Sequence, residues 1–233
     1  MKWFYDLWDD FLSLLFPRIC YGCGNHLLRN ENIICTECLV LIPRTNYHKQ
    51  KGNPVEQLFW GRCHIQSAAA FSYYNKGSRI RNLIHNMKYK GIEEIGIVLG
   101  RIYGLSLGSS AFTDSIDIIV PVPLHTSKKR SRGFNQSELI AEGLSQVTGL
   151  KVKNTAVVRS VASSTQTKRS RYDRWVNVEG IFEVADPKSI EGRHILMVDD
   201  VITTGSTIES CVNAVLKVEG VKVSVAAIAY APA

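Results

Sequence analysis

What the chain lacks narrows its class first. No run of about 20 uninterrupted apolar residues occurs in its 233 positions, so no membrane-spanning helix is expected. The apolar opening MKWFYDLWDDFLSLLF is broken by Asp6, Asp9 and Asp10, and no cleavage-site pattern follows it. A signal peptide is therefore not expected, and the chain reads as soluble and cytoplasmic. No GxxxxGK followed by Ser or Thr is present, which makes a nucleoside-triphosphate P-loop a poor competitor. No internal repeat or low-complexity tract stands out. Acidic residues are the minority, 21 against 28 Lys and Arg, for a formal net charge of +7. That balance favours an anionic partner, whether phosphate substrate, nucleic acid or acidic protein, without choosing among them.

What is present fits a globular chain: 45% hydrophobic and 21% charged residues allow one main domain with an appendage. Trp3, Phe4, Leu7, Trp8, Phe11, Leu14 and Leu15 fall at helical spacing. They predict an apolar stripe that docks on the protein or a partner, since the acidic opposite face disfavours anionic lipid.

Four of the six cysteines form CYGC and CTEC, namely Cys20, Cys23, Cys35 and Cys38, with eleven residues between the pairs. Each CxxC lets two thiolates of one tight knuckle reach a common ion, and two knuckles close a tetrahedral Zn²⁺ site with no open position. The expected role is structural. A disulfide framework requires an oxidising compartment, and a redox motif requires one CxxC rather than two. His26 and the Cys63–His64 pair are weaker ligand candidates, and Cys211 reads as core.

Residues 1–42 are thus expected to hold the amphipathic helix and a four-cysteine zinc ribbon, 43–61 a polar linker, and 62–233 the main domain. There the pattern alternates. Strands are expected at Ser67 to Tyr74, Asp117 to Pro123, Lys153 to Arg159, Ile195 to Val198 and Lys222 to Tyr230; helices at Ser78 to Tyr89, Glu93 to Leu107, Asn135 to Val147 and Thr207 to Val218. Interleaved apolar strands and amphipathic helices predict an α/β domain with a mostly parallel central sheet, whose ligands gather at the carboxyl ends of the strands.

The stretch ILMVDDVITTGST, Ile195 to Thr207, describes such a ligand site. A buried strand delivers Asp199 and Asp200, which can engage a vicinal diol or hold Mg²⁺ beside it. The turn that follows presents hydroxyls and backbone N–H groups at a helix N-terminus, a geometry and dipole suited to phosphate. After IDIIVPVP, Lys128, Lys129, Arg130 and Arg132 crowd into a basic loop before Gly133, which would suit a diphosphate. Ser163 to Trp175, carrying Lys168, Arg169, Arg171 and Arg174, reads as a flap. Lys88 and Lys90 either extend the anion site or complement the carboxyl end of their helix.

The Asp-Asp and Thr-Thr-Gly stretch resembles the phosphoribosyl-pyrophosphate motif of type I phosphoribosyltransferases. Together with CxxC twice, MKYKG, PVPLH, RGFNQ and NVEGIF, it makes nearly the whole chain similar to the bacterial competence protein F family. The resemblance implies a type I phosphoribosyltransferase-like fold plus a small N-terminal zinc ribbon. It also implies a role in natural transformation, where single-stranded DNA is handled with a helicase partner. It assigns Asp199 and Asp200 as catalytic groups on the ribose hydroxyls or Mg²⁺. Val201, Ile202, Thr203, Thr204, Gly205, Ser206 and Thr207 would take the ribose 5-phosphate, and Lys128, Arg130 and Arg132, with Lys168 and Arg171 of the flap, the diphosphate of phosphoribosyl pyrophosphate. Two features depart from the family pattern. Many relatives carry a double ribbon, whereas this chain has one complete four-cysteine set, and its flap offers no base-recognition signature, so the acceptor stays open. A non-catalytic nucleotide sensor or single-strand-handling adaptor keeping the same pocket, and a purely structural adaptor, are the competing classes.

Overall fold

The computed structural model describes residues 17–108, 110–159 and 181–232. The apolar N-terminal stripe and the Ser163 to Trp175 segment, with Lys168 and Arg171, lie outside the described residues.

A cysteine-bearing lobe leads into short helix α1 (Thr36–Leu41), a 3-10 turn at Tyr47–Lys49 and helix α2 (Pro54–Gln57). Strand β1 (Ser67–Tyr73) follows, then helices α3 (Arg79–Lys90) and α4 (Glu94–Gly108) and strand β2 (Ile118–Pro121). Next come helices α5 (Thr126–Arg132) and α6 (Gln136–Thr148) and the short strands β3 (Lys151–Val152), β4 (Val157–Arg159) and β5 (Phe182–Val184). Strand β6 (His194–Ile202), helix α7 (Ser206–Val215) and strand β7 (Lys222–Tyr230) close the described chain.

Five strands pair in parallel in the order β1-β7-β6-β2-β3, and β4 with β5 forms a separate antiparallel pair. The long strands are apolar without alternation because both faces are covered. Successive residues feed opposite layers: Leu196 and Val198 join the core under α3, α4 and α6, while Ile195 and Met197 join the one under α7. The α4–α6 contact is unusually close. A methyl placed on Gly100 would meet the Ile140 carbonyl oxygen at 2.2 Å, and one on Gly143 the Ile97 carbonyl oxygen at 2.1 Å. Any side chain at either position must push the two helices apart.

Three expectations change. The stretch expected as strand from Lys153 to Arg159 contains a turn at Asn154 and Thr155, so only Val157–Arg159 of it is strand, β4 of the small pair, while β3 of the main sheet lies just before it at Lys151–Val152. The basic loop after β2 is largely helical, α5, ended by Gly133 at φ 87°. Residues 43–61, expected as a linker, are packed: Val55 and Phe59 are fully buried, and Asn53 Nδ2 donates to the Ala68 carbonyl at 2.8 Å. Local polarity pointed to a linker, but these side chains line up along the free edge of β1, where Thr45 N–H bonds the Phe71 carbonyl at 3.1 Å.

The cysteine lobe is docked as well. Asn82 and Asn86 of α3 donate to the carbonyls of Gly22 and Tyr21 at 2.9 and 2.8 Å, and Cys20, Ile34 and Cys38 join the core that holds α3 and α4.

Candidate functional site

In strand β6, Val198 pairs with Pro121 at the end of β2, so the two acids that follow it emerge just past the end of that neighbour. The strand runs through both acids to Ile202 rather than stopping at Val198, and because side chains alternate along a strand each carboxylate has its own surroundings. Asp199 Oδ1 accepts from Ser137 Oγ at 3.0 Å and from the Asp200 N–H at 2.8 Å. Asp200 Oδ2 pairs with Lys88 Nζ of α3 at 2.7 Å. Burial first, and the Asp200 carboxylate second, push the Asp199 carboxyl up to about 7 against the opposing pull of those hydrogen bonds and of Lys88.

The loop after β6 turns at Gly205, whose φ of 75° lies in the left-handed region, and α7 begins at Ser206. A side chain at Gly205 would be strained by that φ and would also meet the buried Phe59 ring at 3.1 Å. Thr203, Thr204, Ser206 and Thr207 are exposed, Thr204 Oγ1 and Ser206 Oγ lie 3.0 Å apart, and among the described residues no side chain caps α7. The first N–H groups of the helix therefore face outward beside two hydroxyls, the arrangement that accepts a phosphate. Val201 and Ile202 differ from their loop neighbours. They are strand residues, and with Ile202 only 1% exposed its side chain belongs to the core.

Arg62 braces this loop from the segment before β1. Its guanidinium donates to the Thr204 carbonyl at 2.7 Å and Ser206 Oγ at 3.3 Å, and pairs with the Glu209 carboxylate. One planar fork thus fixes both sides of the Gly205 turn.

The basic segment reaches the same end of the sheet. Lys88, Tyr89, Lys128, Ser131 and Arg132 line a cavity of about 580 Å³. Lys88 stands in both places, lining this cavity while bonded to Asp200. The RGFNQ run explains the placement. Arg132 ends α5, Gly133 reverses the chain, Phe134 is buried, and Asn135 caps α6 while its Nδ2 donates to the Val122 carbonyl at 3.1 Å. Arg132 Nη1 donates to Gln136 Oε1 at 2.7 Å, and its guanidinium lies 5.7 Å from the centre of the Tyr89 ring. Gln136 is 1% exposed and its Nε2 has no partner among the described residues, leaving one buried donor beside Arg132 and Ser137. Lys129 is committed elsewhere, paired with Glu138 at 2.9 Å, and Arg130 is exposed.

The four cysteines form the one metal-capable group among the described residues, their Sγ atoms all within 4.8 Å of one another. Cys23 Sγ and Cys35 Sγ are 3.8 Å apart, close to the roughly 3.8 Å edge of a tetrahedron with about 2.3 Å zinc–sulfur bonds. Gly22 is required here, because a methyl on it would meet Cys38 Sγ at 3.0 Å. Burial pushes the thiols of Cys35 and Cys38 up; it acts on Cys20 too, but N–H groups of Cys35, Cys23 and Gly22 outweigh it and hold that thiol at about 7. These donors compensate a thiolate, so the donor set fits a structural metal ion. His26, Cys63 and His64 do not join it.

Residues 102–233 match the model of the family described as phosphoribosyl transferase domain. The chain belongs to that family. It is 30% identical over 210 residues to DNA utilization protein YhgH of Escherichia coli (strain K12), covering 88% of this chain and 87% of that protein. Competence protein F of Haemophilus influenzae is 29% identical over 198 residues, covering 81% and 86%, and competence protein ComFC of Bacillus subtilis 27% over 212 residues, covering 88% and 82%. It is thus a competence-associated, phosphoribosyltransferase-like protein with an α/β core and a four-cysteine cluster compatible with a zinc ribbon.

Within this phosphoribosyltransferase-like core, Asp199, Asp200, the Thr203 to Thr207 turn, Lys128 and Arg132 share one sheet edge. Arg62, Phe59, Ser137 and Gln136 stand there too, and the sequence reading missed all four. Arg62 and Phe59 sat in or beside a presumed linker. Ser137 and Gln136 had a usable signal in the RGFNQ run, since an Asn cap places the next two residues at a helix N-terminus pointing along the strand ends. No helix of the described residues is long and apolar enough to cross a membrane.

Proposed function

We propose that the protein binds phosphoribosyl pyrophosphate with Mg²⁺ and transfers the phosphoribosyl group, within the handling of incoming single-stranded DNA. The observation that supports this reading is Lys88, which pairs with Asp200 and lines the cationic cavity, so that two separate polar features adjoin as a sugar diphosphate would need. The Thr203 to Thr207 turn would receive the 5-phosphate on the α7 N-terminus, with Arg62 holding the turn. Asp199 and Asp200 would hold the ribose hydroxyls or Mg²⁺. Lys128 and Arg132 would hold the diphosphate, joined by the Gln136 amide and, when it leaves Asp200, by Lys88.

Bound Mg²⁺ would supply charge neutralisation on the diphosphate. The carbon–oxygen bond to the diphosphate breaks with its electron pair leaving on the diphosphate, positive charge develops on the ribose ring, and a lone pair of the acceptor forms the new bond to that carbon as the acceptor gives up its proton to water. The cations of α5 stabilise the first charge and the acids of β6 the second, so rate enhancement comes from position and electrostatics rather than from a protein base. Zn²⁺ on Cys20, Cys23, Cys35 and Cys38 would be structural, and residues 1–42 would act as a ribbon domain contacting single-stranded DNA or a helicase partner. Diphosphate release from phosphoribosyl pyrophosphate, followed across purine, pyrimidine and amine acceptors, tests the transfer. Release that depends on acceptor and stops in Asp200→Asn supports it.

A second reading, a non-catalytic nucleotide sensor or DNA-handling adaptor, is favoured by one observation. Both acids are partly neutralised already, Asp200 by Lys88 and Asp199 by its raised pKa. Tight binding with no release for any acceptor would select it.

A further inference from the structure

Helix α3 meets the cysteine lobe with one flank and the sheet-edge site with the other. Its apolar stripe, Ile80, Leu83, Ile84 and Met87, is buried in the core that also holds Cys20, Cys35 and Cys38. On one side of that stripe Arg79, Asn82 and Asn86 lie a turn apart and reach both knuckles. Asn82 and Asn86 donate to the carbonyls of Gly22 and Tyr21, the two residues between Cys20 and Cys23. Arg79 pairs with Glu37, between Cys35 and Cys38, at 3.7 Å. On the other side of the stripe Lys88 leaves the helix two residues after Asn86, about 200° round it, and bonds Asp200 at 2.7 Å.

These contacts differ in weight. The Arg79 pair is long and partly exposed, so it contributes little. The two amide bonds matter more, because their acceptors lie inside a CxxC turn that two thiolates on one ion hold tight. Loss of the ion would loosen that turn and with it two fixed points of α3, one of them two residues from Lys88. Between the two, Met87 is pinned: a methyl on Gly96 of α4 would meet its Sδ at 3.1 Å. The last turn of α3 is thus held between α4, the first knuckle and Asp200.

We propose that α3 couples metal in the cysteine lobe to ligand at the sheet edge, with Asn82 and Asn86 as positioning residues for Lys88. The coupling rests on the sugar-diphosphate reading of that edge. A diphosphate that takes Lys88 into the cavity needs α3 where the closed lobe holds it, so by linkage it also holds the lobe closed. The flexible four-carbon stem of Lys88 absorbs part of any shift, which makes the effect a few-fold change rather than an on–off switch.

Zinc release from the full chain into an excess of a coloured zinc chelator, without Mg²⁺ and with or without saturating inorganic diphosphate, tests this. In the wild type, diphosphate should slow release by about threefold or more. In Lys88→Met, saturating diphosphate should leave the rate unchanged. The double variant Asn82→Ala with Asn86→Ala keeps all four cysteines; it should hold one equivalent of zinc and release it at a rate that ignores diphosphate. A wild type that binds diphosphate by calorimetry yet releases zinc at an unaltered rate would overturn the coupling and leave the sugar-diphosphate reading standing. A wild type that binds no diphosphate would overturn both. Equal slowing in wild type and Lys88→Met would also overturn the coupling, because diphosphate would then act on the lobe directly.

Discussion

The cysteine cluster and the sheet-edge site are built in opposite ways. The first draws its four thiols from Cys20 to Cys38, a span in which two tight knuckles and a short helix suffice to bring the sulfurs together. The second gathers Arg62, Lys88, Arg132, Ser137, Asp199 and Glu209, which meet only because five parallel strands and their helices are already in place. A local site stands or falls with its ligands. A site assembled by the fold can lose one member and keep its shape, so its variants should alter binding more than stability.

Replacing Cys38 by Ser should therefore have the largest effect of any single change proposed. Cys38 is fully buried in the core shared with α3, and structural zinc in small domains contributes on the order of 10 kcal/mol to folding. Metal analysis should show zinc falling from one equivalent to near zero, and limited proteolysis should cut between residues 17 and 42. Full zinc occupancy in the variant would erase the contrast between the two regions.

Gly205→Val comes next. The left-handed φ and the Phe59 ring at 3.1 Å together should lower stability by roughly 1–3 kcal/mol, measured by denaturant unfolding, and abolish binding of ribose 5-phosphate. Arg62→Ala should weaken ribose 5-phosphate about tenfold with little change in unfolding midpoint. Arg62→Lys should not restore it, because an ammonium cannot span Thr204, Ser206 and Glu209 at once.

Lys88→Met should move two affinities in opposite directions. Mg²⁺ alone should bind severalfold more tightly once its competitor for Asp200 is gone, while inorganic diphosphate should bind severalfold more weakly. Two shifts of the same sign would mean that Lys88 acts only through the fold.

The smallest effect is on pH. The folded Asp199 carboxyl titrates at about 7 against an ordinary value of 3.8, so the folded state holds a proton that the unfolded chain releases. That stabilisation is complete below 3.8 and is lost as pH rises through 7. Ligand-free stability should thus fall between about pH 4 and 7 and level off above that, while Mg²⁺ affinity, which competes with the proton, should rise up to about pH 7 and then level off. Asp199→Asn should flatten both curves.

How much of this was legible in the sequence follows the same division. The cysteine spacing, the apolar run into Asp199 and Asp200, and the Thr-Thr-Gly turn are short-range patterns, and each predicted its own element. The α4 and α6 helices were legible from periodicity, but their close contact was not, because Gly100 and Gly143 are 43 positions apart. Polar composition hid the 43–61 segment, whose few apolar residues, Val55 and Phe59, carry the packing along β1 and beneath Gly205. The basic stretch looked like a loop because its cations dominate, yet the His125 cap and Gly133 stop are helix signals. Strand β6 outran its apolar run since register with β7, as far as Ile202 beside Tyr230, sets its length. Arg62 carried no signal at all: its partners in the loop and on α7 lie 142 to 147 positions away.

The most direct measurement is a calorimetric titration with phosphoribosyl pyrophosphate and Mg²⁺ of wild type, Asp200→Asn and Thr204→Ala. The account predicts tight binding by the wild type and at least a tenfold loss in each variant, through the sugar in one and the 5-phosphate in the other. Tight wild-type binding left intact by both substitutions would contradict it.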